Sequence, residues 1–411
     1  MSALNIGITG LQTASKDLGT ISNNIANSNT VGYKSLDSQF ADLYTGASGG
    51  GVYVSQVKQS FSQGSISYTT NSMDMAISGE GFFVMKDPSG ENVYTRAGYF
   101  ETDKNGLIVN NMGHKLQGFP VDNNGNVVTG SLSDLQADTS DLPSKPTGNV
   151  TIKANLDTRE ENINPVSTPF DSSDPDTYSY TTSSIIFDKQ GNSHTATAYY
   201  VKTDDNTWNV HYQVDNVDVD LNVPKTDGTE GTETAGFTTL NFGESGELKS
   251  GGDFSLLFNT DATGDQIIDI DLTALTQFGN DSSVSTNSQD GYGAGQYTNL
   301  SVADDGSVFA MYNNGETRLL GVIALATFPN NNGLQPNGGT SWVATSTSGE
   351  PMIDQPGSAG TGSLVAGALE ASNVDMTREL VDMVVAQSAY QASAKVVQAG
   401  DEMNQILMQS M

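Results

Sequence analysis

The C-terminal stretch Ala371–Met411, ASNVDMTRELVDMVVAQSAYQASAKVVQAGDEMNQILMQSM, decides the fold of this 411-residue chain. No proline interrupts it, and Asn373–Asp375 offers an N-terminal helix cap. We therefore predict one helix of roughly 35 residues, about 50 Å long, which needs a partner along its length. Along the predicted helix, apolar and small residues recur at alternating steps of four and three, which is typical of a coiled-coil seam. The residues of this seam are Val385, Ala389, Ala392, Val396, Ala399, Met403 and Ile406.

A matching seam lies at the N-terminus. Glycines at positions 7, 10 and 19 interrupt it. Each costs about 1 kcal/mol against alanine in a helix, so this helix depends on packing. We predict that the two terminal helices pair as a coiled coil. The alternative, a hairpin closing one monomeric core, is disfavoured because two narrow seams do not bury themselves completely. The N-terminal seam consists of Leu4, Leu11, Ala14, Leu18, Ile21 and Ile25.

Composition and charge favour a β-rich protein that contacts other proteins. Of the formal charge of −31, residues 1–72 contribute zero and residues 361–411 contribute −4, which leaves −27 for residues 73–360. Nucleic acid and anionic membranes are poor partners for that acidic middle. The absence of cysteine excludes disulfides and thiolate metal sites. We expect no membrane insertion, because no apolar run approaches the roughly 20 residues of a membrane span.

The fold class that we predict is mainly β with α-helical termini, in a nested order of helix, β, inserted β, β and helix. Val52–Val54 and Ser65–Tyr68 are predicted strands of a short hairpin, and Leu319–Phe328 is predicted as one fully buried strand. The predicted domains are a terminal helical core (1–32 and 364–411), an extended linker with the short hairpin (33–72), a discontinuous β-domain (73–142 and 291–363) and an inserted outer β-domain (143–290).

Candidate catalytic and metal sites are weak in this sequence. Asp103–Gly106, Asp122–Gly125 and Asp304–Gly306 superficially resemble calcium loops, but they lack EF-hand spacing and are predicted as hairpin turns. Two of the three histidines lie on predicted strands without a carboxylate at metal spacing. We therefore predict no cofactor and no metal site. An enzyme remains a remote alternative, since partners distant in sequence escape this reasoning.

Three stretches resemble the family of flagellar rod and hook axial proteins. They are Ser22–Lys34 (SNNIANSNTVGYK), Asp74–Gly118 with GEGFF, YTRAG and KLQG, and Leu369–Met403 with LEASNVD, AQSAYQA and DEM. Together they cover about half of the chain, including both ends. The length and the insertion at 143–290 favour a hook member over the shorter rod members, although a distal rod subunit is the second reading. The inserted domain has no alignable motif, and binding of a glycan or cell surface by its strands stays open.

The resemblance implies a structural subunit that assembles with copies of itself into a curved, flexible tube and transmits torque from rod to filament. It implies as partners the distal rod protein, the hook cap, the hook–filament junction protein and the flagellar type III export apparatus. The N-terminal residues lack the basic region, continuous apolar core and small-residue cleavage site of a secretion signal, so we expect no cleavable signal. The resemblance implies export to the extracellular flagellum without one.

The expected assembly interface joins both seams to the turn that ends the first helix. For Lys34 and Arg96, which lie in the resembling stretches, the sequence leaves solvated and interfacial positions open. The turn residues assigned to the interface are Asn27, Asn29, Thr30, Gly32 and Tyr33.

Overall fold

The computed structural model describes residues 3–45, 48–122, 125–221, 236–260, 264–358 and 360–410. Helices α1 (Ala3–Ala26) and α2 (Met376–Ser410) lie at the two ends of the chain and pack on each other. The chain forms two compact units. The predicted mainly β fold with paired terminal helices and one β-rich part inserted in another is confirmed, while the finer four-part division stays a prediction. Unit 1 is Met1–Thr139, Asn299–Met311 and Thr317–Met411, and unit 2 is Ser140–Thr298 and Tyr312–Glu316.

Short strands account for most of the regular structure between the helices. The first group is β1 (Leu36–Thr45), β2 (Ser48–Gln59), β3 (Ile66–Tyr68), β4 (Met75–Ser78), β5 (Phe82–Lys86), β6 (Asn92–Thr95), β7 (Glu101–Thr102), β8 (Ile108–Val109), β9 (Lys115–Pro120) and β10 (Ser133–Asp134). The second is β11 (Asn149–Asp157), β12 (Tyr180–Phe187), β13 (Ser193–Asp204), β14 (Thr207–Val214), β15 (Val217–Asp218), β16 (Asp220–Leu221), β17 (Phe237–Phe242), β18 (Leu248–Ser250), β19 (Asp253–Thr260), β20 (Gly264–Asp271), β21 (Thr276–Phe278) and β22 (Ser283–Gln289). The third is β23 (Tyr297–Val302), β24 (Ser307–Tyr312), β25 (Thr317–Ile323), β26 (Leu325–Thr327), β27 (Gln335–Gly338), β28 (Ser341–Val343), β29 (Met352–Asp354), β30 (Ser363–Ala366) and β31 (Ala368–Glu370).

The main sheet of unit 1 combines strands from before and after the insertion, in the order β23-β24-β25-β9-β5-β6-β28-β27. An aromatic cluster covers it, with the Phe82 and Trp342 rings edge to face at 5.6 Å. The apolar run Leu319–Phe328 is largely buried but forms two strands, not one. The chain changes partner at Ala324, because β25 pairs with β9 whereas β26 pairs with β5 and β29.

Unit 2 contains two antiparallel or mixed sheets that share one hydrophobic core. One sheet has the order β16-β19-β20-β11-β21, with β22 also on β11, and the other has the order β12-β13-β14-β17-β18. Trp208 is fully buried in this core, and its Nε1 donates to Gln277 Oε1 at 3.0 Å. The polar atom of the large side chain is therefore satisfied where the ring is buried.

The predicted short hairpin is wrong in its pairing. Val52–Val54 lies within β2, but that strand runs from Ser48 to Gln59 and pairs antiparallel with β1. Ile66–Tyr68 pairs instead with Ala368–Glu370, just before α2. Strand β1 escaped prediction because its sequence, LDSQFADLYT, mixes polar and apolar residues on both faces.

Two of the predicted acidic turns of unit 1 join neighbouring strands, as hairpin turns do. Asp103 Oδ1 accepts the backbone N–H groups of Asn105 and Leu107 at 2.8 Å, and Ser307 N donates to Asp305 Oδ1 at 3.0 Å. These carboxylates cap their own turns. In the turn Asp122–Gly125, Asn123 and Asn124 lie outside the described residues.

Candidate assembly interface

Helices α1 and α2 run antiparallel and approach closely through glycines. Leu4 lies beside Gly400 at one end of the pair, and Asn24 contacts Glu379 at the other. A Cβ on Gly7 would lie 2.9 Å from Val397 Cγ2, and one on Gly10 would lie 2.8 Å from Ser393 Oγ. Gly19 has no atom within 4 Å of such a Cβ. Gly7 and Gly10, two of the three glycines predicted to weaken the first helix, therefore lie where α1 contacts α2.

The face of α2 that meets α1 is not the predicted seam. Among the residues buried or half-buried on this helix are Met383, Ala386, Ser393, Val397 and Gly400. The predicted residues lie mostly one position earlier and are exposed. Val396 also borders Gly7, at 3.3 Å from the Cβ position. The exposed fractions are 62% for Val385, 43% for Val396, 57% for Met403 and 65% for Ile406, and Ala389, Ala392 and Ala399 are exposed as well.

The predicted seam of α1 is covered within the chain to a larger extent. Ala14 and Ile21 are buried, and the leucines at 4, 11 and 18 and Ile25 are half-buried. The β1–β2 hairpin lies against this helix, where Thr13 Oγ1 donates to Val52 O at 3.1 Å. The α1 seam therefore contributes to the fold of the monomer.

The turn after α1 is organised by Asn24, a buried side chain. Its Nδ2 donates to Leu36 O at 2.8 Å and to Glu379 Oε1 at 2.9 Å. Its Oδ1 accepts Leu36 N at 2.9 Å and the Tyr33 hydroxyl at 3.2 Å. This amide makes all four of its hydrogen bonds and joins α1, β1 and α2.

Most of the predicted turn residues serve the fold of the monomer. Asn27 accepts the Thr30 hydroxyl at 3.1 Å and donates to Asn23. Gly32 has a φ of +69°, and a Cβ there would lie 2.5 Å from Ala97 N. Asn29 is exposed and Tyr33 is half-buried. Of this group, Asn29 presents the most open surface to a partner.

The N-terminus of α2 is capped by Asp375, whose Oδ1 accepts Thr377 N at 2.9 Å. Asn373 has another role: its Oδ1 accepts Ser35 N at 2.7 Å, and its Nδ2 donates to Ser60 O at 2.9 Å. Asp375 therefore caps the helix, and Asn373 links the chain before α2 to Ser35 and Ser60.

A groove of about 770 Å³ is lined by residues of α1, α2 and the β1–β2 hairpin. Its lining carries five carboxylates, and Arg378 is the one basic residue among the described residues that line it. Burial, with the neighbouring Asp382 and Asp17, raises the pKa of Glu379, against the hydrogen bond from Asn24. Burial also raises the pKa of Asp17, as do Asp37 and Asp382, against its hydrogen bond with Ser38. The carboxylates in the groove are Asp17, Asp37, Asp375, Glu379 and Asp382.

Relatives of known name match along the whole chain. The flagellar hook protein FlgE of Salmonella typhimurium is 36% identical over 409 residues, covering 96% of both chains. The chain belongs to the flagellar hook protein family. The FlgE proteins of Escherichia coli and Brucella suis are 35% and 32% identical, and each match covers at least 97% of both chains. This hook-family chain is therefore a structural subunit of the flagellar hook.

Four family models match this hook-family chain in sequence order. They are the flagella basal body rod protein at residues 4–34, the flagellar hook protein FlgE/F/G D1 domain at 76–165, the flagellar basal body protein FlaE D2 domain at 155–292 and the flagellar basal body rod FlgEFG protein C-terminal at 365–410. Helicobacter pylori flagellar hook protein FlgE2 shares the fold, with a TM-score of 0.55 and 14% identity over 74% of this chain and all of that one.

Sequence reasoning missed the polar residues that hold this hook-family chain at its helix junction. Lys34 and Arg96 are not solvated: both are buried and pair with Glu370. Glu370 lies in the apolar run SLVAGALEA, where a lone carboxylate indicates a buried charge that needs partners. Among the described residues, no cluster of metal-ligating side chains occurs, and neither helix is long and apolar enough to cross a membrane.

Proposed function

We propose that this hook-family chain polymerises through its terminal helices, with the outward face of α2 as a contact between subunits. The observation that carries the proposal is an apolar stripe on a helix whose opposite face already meets α1. Val381, Val384 and Val385 are 59–62% exposed along the first half of this helix, and Met403 and Ile406 continue the stripe. Apolar stripes of this extent mark protein contacts.

The polymer grows as an open helical tube, because the contacting surfaces of neighbouring copies differ. The α2 stripe is apolar, whereas α1 and β1 carry carboxylates beside it, Asp17 and Asp37. A contact between unlike surfaces is heterologous and repeats without closing into a pair. The tube is curved and flexible, transmits torque from rod to filament and leaves a central export channel. The residues that we assign to the interface are the two seams and the turn residues Asn27, Asn29, Thr30, Gly32 and Tyr33.

The partners follow from the place of the hook in the flagellum. We assign the distal rod protein and the hook–filament junction protein to the two ends of the tube, with the hook cap at the growing end. The chain leaves the cell through the flagellar type III export apparatus and functions outside it. It is a structural protein without catalytic activity.

Two charges in the stripe test the proposal. V384E/V385E places two carboxylates on the apolar face, and Q387E/Q398E adds the same charge at exposed polar positions of the same helix that lie beside this face. We expect tubes from the parent chain and from Q387E/Q398E, and a soluble monomer with native circular dichroism from V384E/V385E. Sedimentation and negative-stain microscopy measure the outcome. Tubes of normal yield from V384E/V385E would contradict the proposed interface.

A further inference from the structure

Each of the three family-like stretches contributes one charged side chain to a single buried cluster. Lys34 Nζ lies 2.7 Å from Glu370 Oε1, and Arg96 Nη1 lies 3.1 Å from Glu370 Oε2. The three side chains are 1%, 5% and 0% exposed, in the order Lys34, Arg96 and Glu370. Residues hundreds of positions apart therefore form one site inside unit 1.

The two chain segments that join the terminal module, defined as α1, the β1–β2 hairpin and α2, to the rest of unit 1 both lie at this carboxylate. Lys34 follows α1, and its Nζ donates to Ser62 O at 2.7 Å in the segment that leaves the hairpin. Gly64 N in that segment donates to Glu370 Oε1 at 2.9 Å. Glu370 itself precedes α2. Both crossings of the chain, and the link between α1 and β1, thus meet at one side chain.

The fourth attachment is to the β-sheet region. Arg96 follows β6, its Nη2 donates to Gly79 O at 2.9 Å, and its guanidinium lies 5.4 Å from the centre of the Phe82 ring. The cluster therefore makes hydrogen bonds of fixed direction both to the terminal module and its connecting segments and to the sheet region.

We propose that Glu370 is a positioning residue, which fixes the orientation of the terminal module on the sheet of unit 1. Buried ion pairs are weak sources of net stability, since desolvation opposes their attraction, but their hydrogen bonds have fixed directions. Apolar side chains of similar volume would fill the same space without those directions. The charged cluster therefore determines where the module sits more than how strongly unit 1 folds.

This inference concerns the free chain and does not depend on polymerisation. In an assembled hook, force on the terminal helices would pass through the same two crossings. Loss of the cluster would then loosen the helices from the sheet while leaving each folded.

Spin labels test the inference, because the chain has no cysteine of its own. One label at Q387C on α2 and one at E101C on β7 report the module against the sheet, and a pair at E101C and M311C reports the sheet alone. All three positions are exposed. In the full-length chain we expect one narrow distance for each pair. The test substitutions are E370Q and the apolar set K34M/R96M/E370M. The control is D134N, which breaks the half-buried Lys115–Asp134 pair.

The expected result is loss of the single narrow distance between α2 and β7 in E370Q and in the apolar set, with an unchanged distance within the sheet. D134N should keep both distances. If E370Q fails to fold, shown by loss of the distance within the sheet, the apolar set decides. A narrow α2–β7 distance in a folded E370Q or in the apolar set would overturn the inference, because packing alone would then position the module.

Discussion

The side chain of Asn24 on α1 donates a hydrogen bond to Glu379 Oε1 on α2 at 2.9 Å, across 355 residues of sequence. The same amide holds the backbone of Leu36 through both its N–H and its C=O. A buried polar residue between two packed helices fixes their register, because a shift leaves its hydrogen-bonding groups unpaired. Asn24 therefore sets the alignment of the two terminal helices.

Replacing this amide should destabilise the helix pair strongly. We expect N24L to lower the free energy of unfolding by about 2–3 kcal/mol, because it leaves the buried backbone groups of Leu36 without partners. Denaturant unfolding followed by far-ultraviolet circular dichroism measures the change. The control is N29L at an exposed position three residues after α1, for which we expect a change within about 0.5 kcal/mol. Equal effects of the two variants would contradict this role.

The glycines of α1 should respond in opposite directions to alanine. At Gly19 the added Cβ meets nothing within 4 Å, so G19A should stabilise the helix by up to about 1 kcal/mol through propensity. At Gly7 the Cβ would press on Val397 at 2.9 Å, so G7A should lose that gain or destabilise the pair. Thermal unfolding of the two variants decides. A G7A variant as stable as G19A would show that the helices do not approach closely there.

Gly32 should tolerate alanine less well than another glycine with the same backbone conformation. Gly32 and Gly113 have φ values of +69° and +78°, but a Cβ at Gly113 meets nothing within 4 Å, whereas one at Gly32 meets Ala97 N at 2.5 Å. We expect about 1–2 kcal/mol of destabilisation for G113A from backbone strain alone, and clearly more for G32A. Denaturant unfolding measures both. Similar losses would mean that the close approach to Ala97 has no energetic weight.

Acid should stabilise the helix junction. The pKa values of Asp17 and Glu379 are raised from 3.8 and 4.5, so the folded junction binds their protons more tightly than the unfolded chain does. Their stabilising contribution is complete below these unfolded values and is lost as the pH rises through the higher folded values. We expect tighter helix pairing as the pH is lowered from neutrality into this window, and a weaker pH dependence in D17N/E379Q.

Unit 2 should respond to pH in the opposite direction, which makes a local probe necessary. Hydrogen bonds from Arg159 lower the pKa of Asp157 to about 2, so its contribution is present above 3.8 and is lost on acidification. Amide hydrogen exchange at α2 and at β13 separates the two responses. The same pH dependence of hydrogen exchange at α2 in the parent chain and in D17N/E379Q would contradict the assignment of this effect to the two carboxylates.

The helices were predictable from sequence because their periodicity and caps are local. The 35-residue length of α2, the Asp375 cap and the end of α1 all follow from residues within a few turns. The choice of face was not predictable in the same way. Hydrophobic periodicity identifies the most apolar stripe, here the one through Val385. The face toward α1 instead mixes Met383 and Val397 with small or polar residues such as Ser393 and Gly400.

The pairing of distant segments was the part that sequence patterns did not contain. Ile66–Tyr68 finds its partner strand about 300 residues later, and nothing in either strand specifies that match. The same holds for Glu370, whose partners Lys34 and Arg96 come from the other two family-like stretches. A lone acid in an apolar run indicates that partners exist, but only the fold identifies them.

The most direct test of assembly through the α2 stripe is the reactivity of single cysteines in a chain that has none. A maleimide should modify V385C rapidly in the free chain, where this side chain is 62% exposed, and slowly in assembled tubes. V166C, at a position 90% exposed, should react in both states, and A386C, at a position 4% exposed, in neither. Protection of V385C on assembly is the predicted result. Equal reactivity of V385C in free chain and tubes would contradict the account.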